Sequence, residues 1–455
     1  RKSLPIPEIK EKTNKRLPRN EDDKKILELV KKMLHTEEID IEDYIFENGG
    51  DSLFAMSLAI QLSDMFNVEL SIKDIYKNFT IEKLSNYIRK LPQNQKNIKI
   101  TENKEKEFYN LSSAQKRIYY ASAVDENSTL YNISGGIILE NIPDIEKLEK
   151  SINILMERHS ILRTKYEIIN NEIMQKIEKF EPYKLKVRKF NTDKFKEIFK
   201  DFVKPFKLIS SRLIRFELAE LKDGRAFFMI DIHHSICDGT SLNILMNELC
   251  KIYNGEELEK GKIEYKDFAE WENKKIKLNK FRKSEDYWMK QFEEELPTLN
   301  LPTTFKRQSK NTFIGTSEKM SIDSNIVNKI NEMAIELNCT PYMICLATYY
   351  ILLLKYTDQR DIIVGTPITG RYLPELENVI GMFVNTLALR SKIKTEKTFK
   401  QYLDDIKTMC LNAYDNQEYP LEFINEKLNL QKEDGKRILF DTMFIFQNNE
   451  YSEFQ

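Results

Sequence analysis

The residues best suited to chemistry lie in the stretch DIHHSICDGTS, at 231–241. His233 and His234 stand side by side, two of the four histidines in 455 residues, and Asp238 follows the second by four positions. Successive side chains of a strand point to opposite faces, so the two histidines are not expected to bind one metal ion together. A histidine at a strand end, beside a loop, is well placed to act on a substrate as an acid or a base.

Taken by itself, the HHxxxDG pattern leaves two interpretations open. A histidine in a strand is often a packed or surface residue with no catalytic role, and short motifs match by chance. HxxxD also occurs in many acyl-CoA-dependent acyltransferases, so the pattern indicates acyl transfer without naming the acyl donor. Thr240 or Ser241 is expected to cap the helix that follows.

A second stretch, NGGDSL at 48–53, suits the covalent attachment of an anionic group. Ser52 follows two glycines and an aspartate at the predicted start of a helix. A helix N-terminus favours negative charge, so a phosphodiester on this hydroxyl would be stabilised. The alternative is that Asp51 or Ser52 only caps the helix, which is the commoner role of these residue types.

The elements around Ser52 follow from apolar periodicity and capping residues. A helix is predicted over 21–34, with Asn20 as its cap, and a second begins at Ser52. Ser71 and Thr80 open two further helical segments. Four helices in about 70 residues predict a small bundle.

From residue 107 onward the sequence mixes predicted helices and strands. Two β-rich runs, 212–221 and 226–234, are joined by Lys222-Asp223-Gly224-Arg225, and an Asp-Gly between such runs predicts a hairpin. This hairpin must place the two histidines at its far end. Helices are predicted over 145–158, 241–253 and 340–356.

Composition argues against several classes of function. The net charge is −1, which gives no basic excess for nucleic acid or an acidic membrane. Five widely spaced cysteines without a CxxC pair, and four histidines, assemble no metal site. The sequence has no signal peptide and no apolar run of the roughly 18 residues that span a bilayer. We therefore expect a cytoplasmic protein with reduced thiols.

Residues 107–455 resemble a condensation domain of a nonribosomal peptide synthetase. The resemblance rests on seven motifs in order along this whole segment. They are LSSAQKRIYY (111–120), RHSILRT (158–164), HHSICDGTS (233–241), YKDFAEW (265–271), IGMFVNTLALR (380–390), NQEYPLE (416–422) and KRILFDTMF (436–444).

The first 92 residues are similar to a peptidyl carrier domain, and NGGDSL carries that similarity. It implies that a phosphopantetheinyl transferase attaches 4′-phosphopantetheine from coenzyme A to Ser52. RKSLP at 1–5 resembles the tail of an adenylation domain. The parent order would then be adenylation, carrier, condensation, with a further carrier downstream for the acceptor.

The resemblance implies a multidomain fold. A small four-helix carrier bundle is expected to precede an α/β condensation domain of two chloramphenicol-acetyltransferase-like subdomains, which form a V with a tunnel between them. Family members continue through further strands and a helix after the last motif, so the second subdomain is expected to be truncated at residue 455. The expected boundaries are a linker at 1–20, the carrier at 21–92, a linker at 93–106, and the subdomains at 107–275 and 276–455.

The activity that the resemblance implies is peptide-bond formation. The donor is an aminoacyl or peptidyl thioester on a phosphopantetheine arm, and the α-amine of a carrier-bound acceptor attacks it. His234 is the residue expected to act. It either removes a proton from the amine, or it positions the amine and stabilises the tetrahedral intermediate.

Other residues are expected to support His234. Asp238 should pair with an arginine, for which Arg163 is the candidate. Gly239 should permit a backbone conformation or a close approach that a side chain would block. His233 should support the strand and the site, whereas Asn385 lies either near the tunnel or in a hydrogen bond inside the fold.

Related activities remain as alternatives. SSAQKR and FVNT favour condensation over epimerisation. A domain that both epimerises and condenses would be expected to carry an extra histidine motif near its start, but His159 is the only histidine between 107 and 232. An L-configured donor is therefore expected. One alternative is acyl transfer to a free small amine or alcohol. The other is a non-catalytic platform that recruits partner enzymes, although such relatives tend to lose the HHxxxDG residues. Products of these assemblies include antibiotics and siderophores.

Overall fold

A computed structural model describes residues 17–34, 36–45, 52–68, 70–92, 100–191, 194–209, 212–305, 315–430 and 439–447, and it describes only the backbone of residues 52, 53 and 56. The predicted adenylation tail at 1–5 lies outside these ranges, as do Gly49, Gly50 and Asp51 of the NGGDSL stretch.

Four helices form the first folded unit, as predicted. Asn20 Oδ1 accepts hydrogen bonds from the backbone N–H groups of Asp22 and Asp23, which confirms it as a helix cap. Ser71 and Thr80 also cap their helices. The helices are α1 (Glu21–Leu34), α2 (Ser52–Phe66), α3 (Ile72–Lys77) and α4 (Ile81–Ile88), and their buried apolar residues include Ile26, Val30, Leu58, Leu62, Ile75 and Leu84.

The N-terminal half of the larger unit, residues 100–277, is built on two antiparallel or mixed sheets. The predicted hairpin is present, because β6 pairs with β7 in antiparallel register from Ile214↔Ile232 to Glu220↔Ala226. Strand order is β2-β7-β6-β5 in one sheet and β1-β4-β3 in the other. The strands are β1 (Tyr109–Asn110), β2 (Asn132–Leu139), β3 (Thr164–Ile169), β4 (Glu172–Ile177), β5 (Lys186–Phe190), β6 (Ile214–Leu221) and β7 (Ala226–His233). The helices are α5 (Ser113–Ala123), α6 (Ile145–Arg158), α7 (Phe195–Phe202), α8 (Gly239–Tyr253) and α9 (Tyr265–Lys277).

The C-terminal half, residues 282–447, packs helices against an antiparallel pair of strands. Gly365 of this pair also bridges in parallel to Met443. The elements are α10 (Arg282–Gln291), α11 (Ser324–Glu336), α12 (Pro341–Thr357), β8 (Asp361–Ile368), a 3-10 turn (Pro374–Leu376), β9 (Asn385–Lys392), α13 (Phe399–Asp415) and α14 (Leu421–Lys427).

The two halves interlock through the segment between β8 and β9. Leu376, Val379, Ile380 and Phe383 belong to this segment, yet they are buried in the core of the N-terminal half. Burial of apolar side chains across the boundary favours a fixed arrangement of the halves, by about 25 cal/mol for each Å² removed from water. The segment therefore reaches the helix that follows the histidines.

A membrane-spanning helix is not found among the described residues. Only α11 and α12 together, bent by 108°, meet the length and composition of a span.

Candidate active site

The fold presents His234 at the end of a buried central strand. All of β7 is buried between β2 and β6, and it ends at His233. The backbone N–H of His234 donates to the carbonyl of Tyr131 at 2.8 Å, which fixes the start of the loop over residues 234–238, named here the histidine loop. The chain then turns into α8 at Gly239.

A single hydrogen bond sets the tautomer of His234. Its Nδ1 lies 2.9 Å from the carbonyl oxygen of Cys237. A carbonyl only accepts, so Nδ1 carries the proton and the neutral ring keeps a lone pair on Nε2. His234 is half-buried. The loop thus orients one basic nitrogen, as a general base requires.

His233 is held in a different tautomer and does not share a site with His234. Its Nδ1 accepts from the backbone N–H of Ser235 at 3.2 Å and lies 2.8 Å from that residue's hydroxyl. Its Nε2 lies 3.2 Å from Ser122 Oγ, which itself donates to the carbonyl of Ile118. His233 therefore ties the strand to α5 as a neutral ring.

The pKa of His233 predicts a pH-dependent loss of stability. Burial, with a smaller contribution from His234, lowers this pKa from 6.5 to about 4. The unfolded chain takes up a proton that the folded ring refuses, so this stability is complete above pH 6.5 and is lost as the pH falls towards 4. The free energy of unfolding should fall by about 2 kcal/mol from pH 7 to pH 5 through this residue.

Denaturant unfolding of wild type and His233→Gln at pH 7, 6 and 5 measures this contribution. The difference between the two proteins should shrink as the pH falls, because glutamine does not titrate. A constant difference across this range would contradict the assignment.

Asp238 is the centre of the contacts that hold the histidine loop. Its Oδ1 accepts from the backbone N–H of Ser241 at 2.7 Å, and its Oδ2 accepts from the backbone N–H of Phe383 at 3.0 Å. Asp238 thus caps α8, so the prediction of Thr240 or Ser241 as the cap was wrong. The same carboxylate also binds the segment between β8 and β9, which fixes Asp238 at the cap position.

Arg371, not Arg163, pairs with Asp238. Arg371 Nη2 lies 3.2 Å from Asp238 Oδ1, and both side chains are buried. The guanidinium of Arg163 instead donates to the carbonyls of Met156 at 2.9 Å and Glu178 at 2.6 Å. These bonds hold Arg163 within the N-terminal half, so its predicted pairing was wrong.

Arg371 links the histidine loop to the C-terminal half. Its Nη2 donates to Ser241 Oγ at 2.8 Å, while its Nη1 donates to the carbonyls of Leu376 and Val379, each at 2.6 Å. The preceding Gly370 has φ +67, and a Cβ there would lie 1.9 Å from the carbonyl oxygen of Phe383. A Gly-Arg pair after a strand was the one local signal that could have indicated this arginine.

Gly239 lies at the exposed start of α8, and its backbone is not in the left-handed region. A Cβ built at this position meets no heavy atom within 4 Å, and its φ is not positive. A left-handed backbone or a close approach by a described protein atom therefore does not require glycine here, and the close approach of a substrate stays a prediction. What the glycine leaves is open space at the start of α8, one residue after Asp238.

Asn385 is committed to bonds inside the fold. Its Nδ2 donates to the carbonyls of Gln417 at 3.0 Å and Tyr419 at 3.1 Å. It also lines a small cavity of about 30 Å³ between the halves, near Arg117, whose Nη2 donates to the carbonyl of Val384 at 2.6 Å. Of the two roles expected for Asn385, the internal hydrogen bond is observed.

His159 pairs with a carboxylate on α8. Its Nε2 lies 2.6 Å from Glu248 Oε2 on α8, and both residues line a cavity of about 450 Å³. This cavity extends to Asn378 and Val379 of the segment between β8 and β9. His159 therefore does not join His234 in one site.

Ser52 stands apart from these residues as the first residue of a 15-residue helix, α2. A hydroxyl at a helix N-terminus fits the attachment of a phosphodiester, because the helix dipole favours the negative charge. The residue type and its place on the helix thus agree with the expected phosphopantetheine site.

Comparison with known families gives two matches along the chain. Residues 24–88 match the model of the phosphopantetheine attachment site, and residues 105–455 match that of the condensation domain. The chain belongs to the condensation-domain family. It is an amide-bond-forming type of enzyme domain from nonribosomal peptide synthesis, preceded by a domain that carries covalent 4′-phosphopantetheine.

Curated relatives are large synthetases. Bacitracin synthase 3 of Bacillus licheniformis is 36% identical over 455 residues, which cover 100% of this chain and 7% of that protein. Tyrocidine synthase 3 of Brevibacillus parabrevis is 38% identical over 450 residues, or 98% of this chain and 7% of that protein. The condensation-domain chain thus spans a small part of each of these relatives.

Solved structures share the fold at low identity. The X-domain from teicoplanin biosynthesis has a TM-score of 0.70 at 18% identity, covering 76% of this chain and 79% of its own. A four-domain nonribosomal peptide synthetase bound to AMP and glycine has a TM-score of 0.69 at 18% identity, covering 78% and 28%. These likenesses establish the α/β condensation fold.

Proposed function

We propose that this chain forms a peptide bond by aminolysis of a thioester, with His234 as the residue that acts on the amine. The observation that carries the proposal is the single orienting bond from His234 Nδ1 to Cys237, which leaves a lone pair on Nε2 at a strand end. A base held in one tautomer needs no reorganisation when the amine arrives.

The reaction balances without a metal or a redox partner. The amine nitrogen of the acceptor attacks the thioester carbonyl carbon, and a C–N bond forms. His234 Nε2 accepts a hydrogen bond or the proton from that nitrogen. The C–S bond then breaks, and the thiolate that leaves takes up the proton, so that an amide and a thiol result.

The surrounding residues position His234 and do not touch the reacting atoms. Asp238 and Arg371 fix the loop that holds the ring, and His233 ties the strand to α5. We propose that the open space at Gly239 leaves room for substrate beside the start of α8. Asn385 supports the loop over 417–421 that lies between the halves.

We propose Ser52 as the attachment site of 4′-phosphopantetheine, delivered by a phosphopantetheinyl transferase. Bound there, the group supplies the thiol that carries the donor acyl group as a thioester. The start of α2 favours the phosphodiester charge. This carrier would serve as the upstream donor for the condensation domain that follows it.

The wider setting is also part of the proposal. We place the boundaries at 21–92 for the carrier and near residue 276 between two subdomains that form a V, which is supported by the change of core between α9 and α10. The partners are an upstream adenylation domain and a downstream acceptor carrier, and the donor is L-configured. Five free cysteines suit the reducing cytoplasm.

Attachment at Ser52 is tested by the intact mass of the protein. Incubation with coenzyme A and a broad-specificity phosphopantetheinyl transferase should add one arm to wild type and none to Ser52→Ala. Ser57→Ala is the matched control on the same helix and should be modified like wild type. No addition to folded wild type, or addition to Ser52→Ala, would contradict the site.

A further inference from the structure

The carrier helices contact the C-terminal half of the condensation domain at two places. On α3, Lys73 Nζ lies 2.8 Å from Asp415 Oδ2 at the end of α13. On α2, Gln61 Nε2 donates to the carboxylate of Glu377, at 3.1 and 3.3 Å from its two oxygens. The same carrier face thus makes an ion pair and an amide–carboxylate contact.

The contact is not limited to polar groups. One contiguous cluster of buried apolar side chains includes residues of all four carrier helices and of α12, β9 and α13. The Lys73–Asp415 pair is partly shielded, with side-chain exposures of 35% and 20%. Apolar burial beside partly shielded pairs is the composition of a specific docking surface.

The part of the condensation domain that Gln61 contacts is tied to the histidine loop. Glu377 lies in the segment 373–379, named here the docking turn, directly after Leu376. Arg371 Nη1 donates to the carbonyls of Leu376 and Val379, and Nη2 of the same guanidinium reaches Asp238. One guanidinium therefore separates the docking turn from the loop that orients His234.

Ser52 lies on the helix that makes this contact. Gln61 lies nine positions further along the helix, which corresponds to about 14 Å along α2 at 1.5 Å per residue. Gln61 of α2 contacts the docking turn, and Arg371 bonds the docking turn to the histidine loop, so the helix that begins at Ser52 is connected to the loop that orients His234. A carrier bound elsewhere on the surface would lack this connection.

We propose that Gln61 and Lys73 of the carrier, with Glu377 and Asp415 of the condensation domain, form the docking surface from which this carrier delivers its donor to His234. The inference rests on the proposed function and assigns the surface to the carrier of this same chain.

A reciprocal exchange at Gln61 and Glu377 tests the surface. In the full chain loaded at Ser52, Gln61→Glu puts two carboxylates at hydrogen-bond distance, and transfer to an aminoacyl acceptor carrier should slow about 5-fold. Adding Glu377→Gln restores an amide opposite a carboxylate and should restore the rate. The shapes of both side chains are almost unchanged, so misfolding does not explain the pattern.

Charge reversal at the second contact provides an independent pair. Lys73→Glu should slow transfer about 5-fold, and Lys73→Glu with Asp415→Lys should recover it. Lys77→Glu is the matched control, because Lys77 lies exposed on the same helix. It should transfer like wild type.

Each rate is divided by the rate with a soluble donor, an aminoacyl thioester of free pantetheine, which needs no docking. The ratio of tethered to soluble turnover should fall in the single variants and return in the double variants. A ratio equal to wild type in Gln61→Glu and Lys73→Glu, or double variants that recover nothing, would overturn the docking surface. No amide from either donor in wild type would instead overturn the proposed function.

Discussion

Replacing His234 with alanine is expected to slow amide formation by about 10²–10⁴-fold, the usual contribution of a positioned acid–base group. The substitution removes the lone pair on Nε2, and it also removes the Nδ1–H group that donates to the carbonyl of Cys237. Loading of Ser52 should proceed as in wild type, since the carrier helices are separate elements. Single-turnover transfer from the loaded carrier, followed by mass spectrometry of the acceptor carrier, measures the effect.

His159→Gln is the matched control for this substitution. His159 follows the end of α6 and pairs with Glu248 on α8, and among the described residues it does not contact the histidine loop. Transfer by this variant should remain near wild type. If His234→Ala transferred at the wild-type rate, the chain would be a docking platform for partner enzymes and not a catalyst.

Replacing Arg371 with leucine is expected to destabilise the protein by about 3–5 kcal/mol, because it leaves the Asp238 carboxylate buried without its counter-charge. The carbonyls of Leu376 and Val379 also lose their donor. Transfer should fall together with stability, since the histidine loop and the docking turn depend on the same guanidinium. Denaturant unfolding and single-turnover transfer measure the two effects.

Two further variants separate the charge from the shape. Arg163→Leu removes an arginine that, among the described residues, bonds only to backbone carbonyls. It should therefore lower the free energy of unfolding less than Arg371→Leu does and leave the rate of transfer near that of wild type. Asp238→Asn in the Arg371→Leu background removes the unpaired charge and keeps a capping side chain, so part of the stability should return. An equal loss of unfolding free energy in Arg163→Leu and Arg371→Leu would contradict the role of Arg371 as the counter-charge of the buried Asp238.

Local signals predicted the elements well. Asn20, Ser71 and Thr80 cap their helices because a capping side chain bonds to backbone groups only two or three residues away. The hairpin of β6 and β7 follows equally from its turn, in which Gly224 has φ +87. Interactions between residues that are only a few positions apart can be predicted from the local sequence.

The contacts that hold the active site were not predictable in this way. Asp238 and Arg371 are separated by 133 positions. Arg163 lies in the recognisable motif RHSILRT, and for that reason it was predicted as the partner of Asp238. Several residues near the start of α8 have side chains that can cap a helix N-terminus. Asp238 is the one that also accepts a hydrogen bond from the backbone N–H of Phe383. Long-range partners depend on how the two halves meet, which no local pattern records.

The transfer of a donor from Ser52 to an acceptor carrier is the most direct test of peptide-bond formation by His234. The full chain is loaded with a set of L-aminoacyl groups from aminoacyl-coenzyme A and is mixed with an aminoacyl acceptor carrier. The mass of each carrier is then followed in wild type and in His234→Ala. We expect the donor mass to disappear from Ser52 and to appear on the acceptor as a dipeptidyl group in wild type, and to do so far more slowly in the variant. A loaded wild-type chain that transfers none of these groups, or a variant that transfers them equally fast, would contradict this expectation.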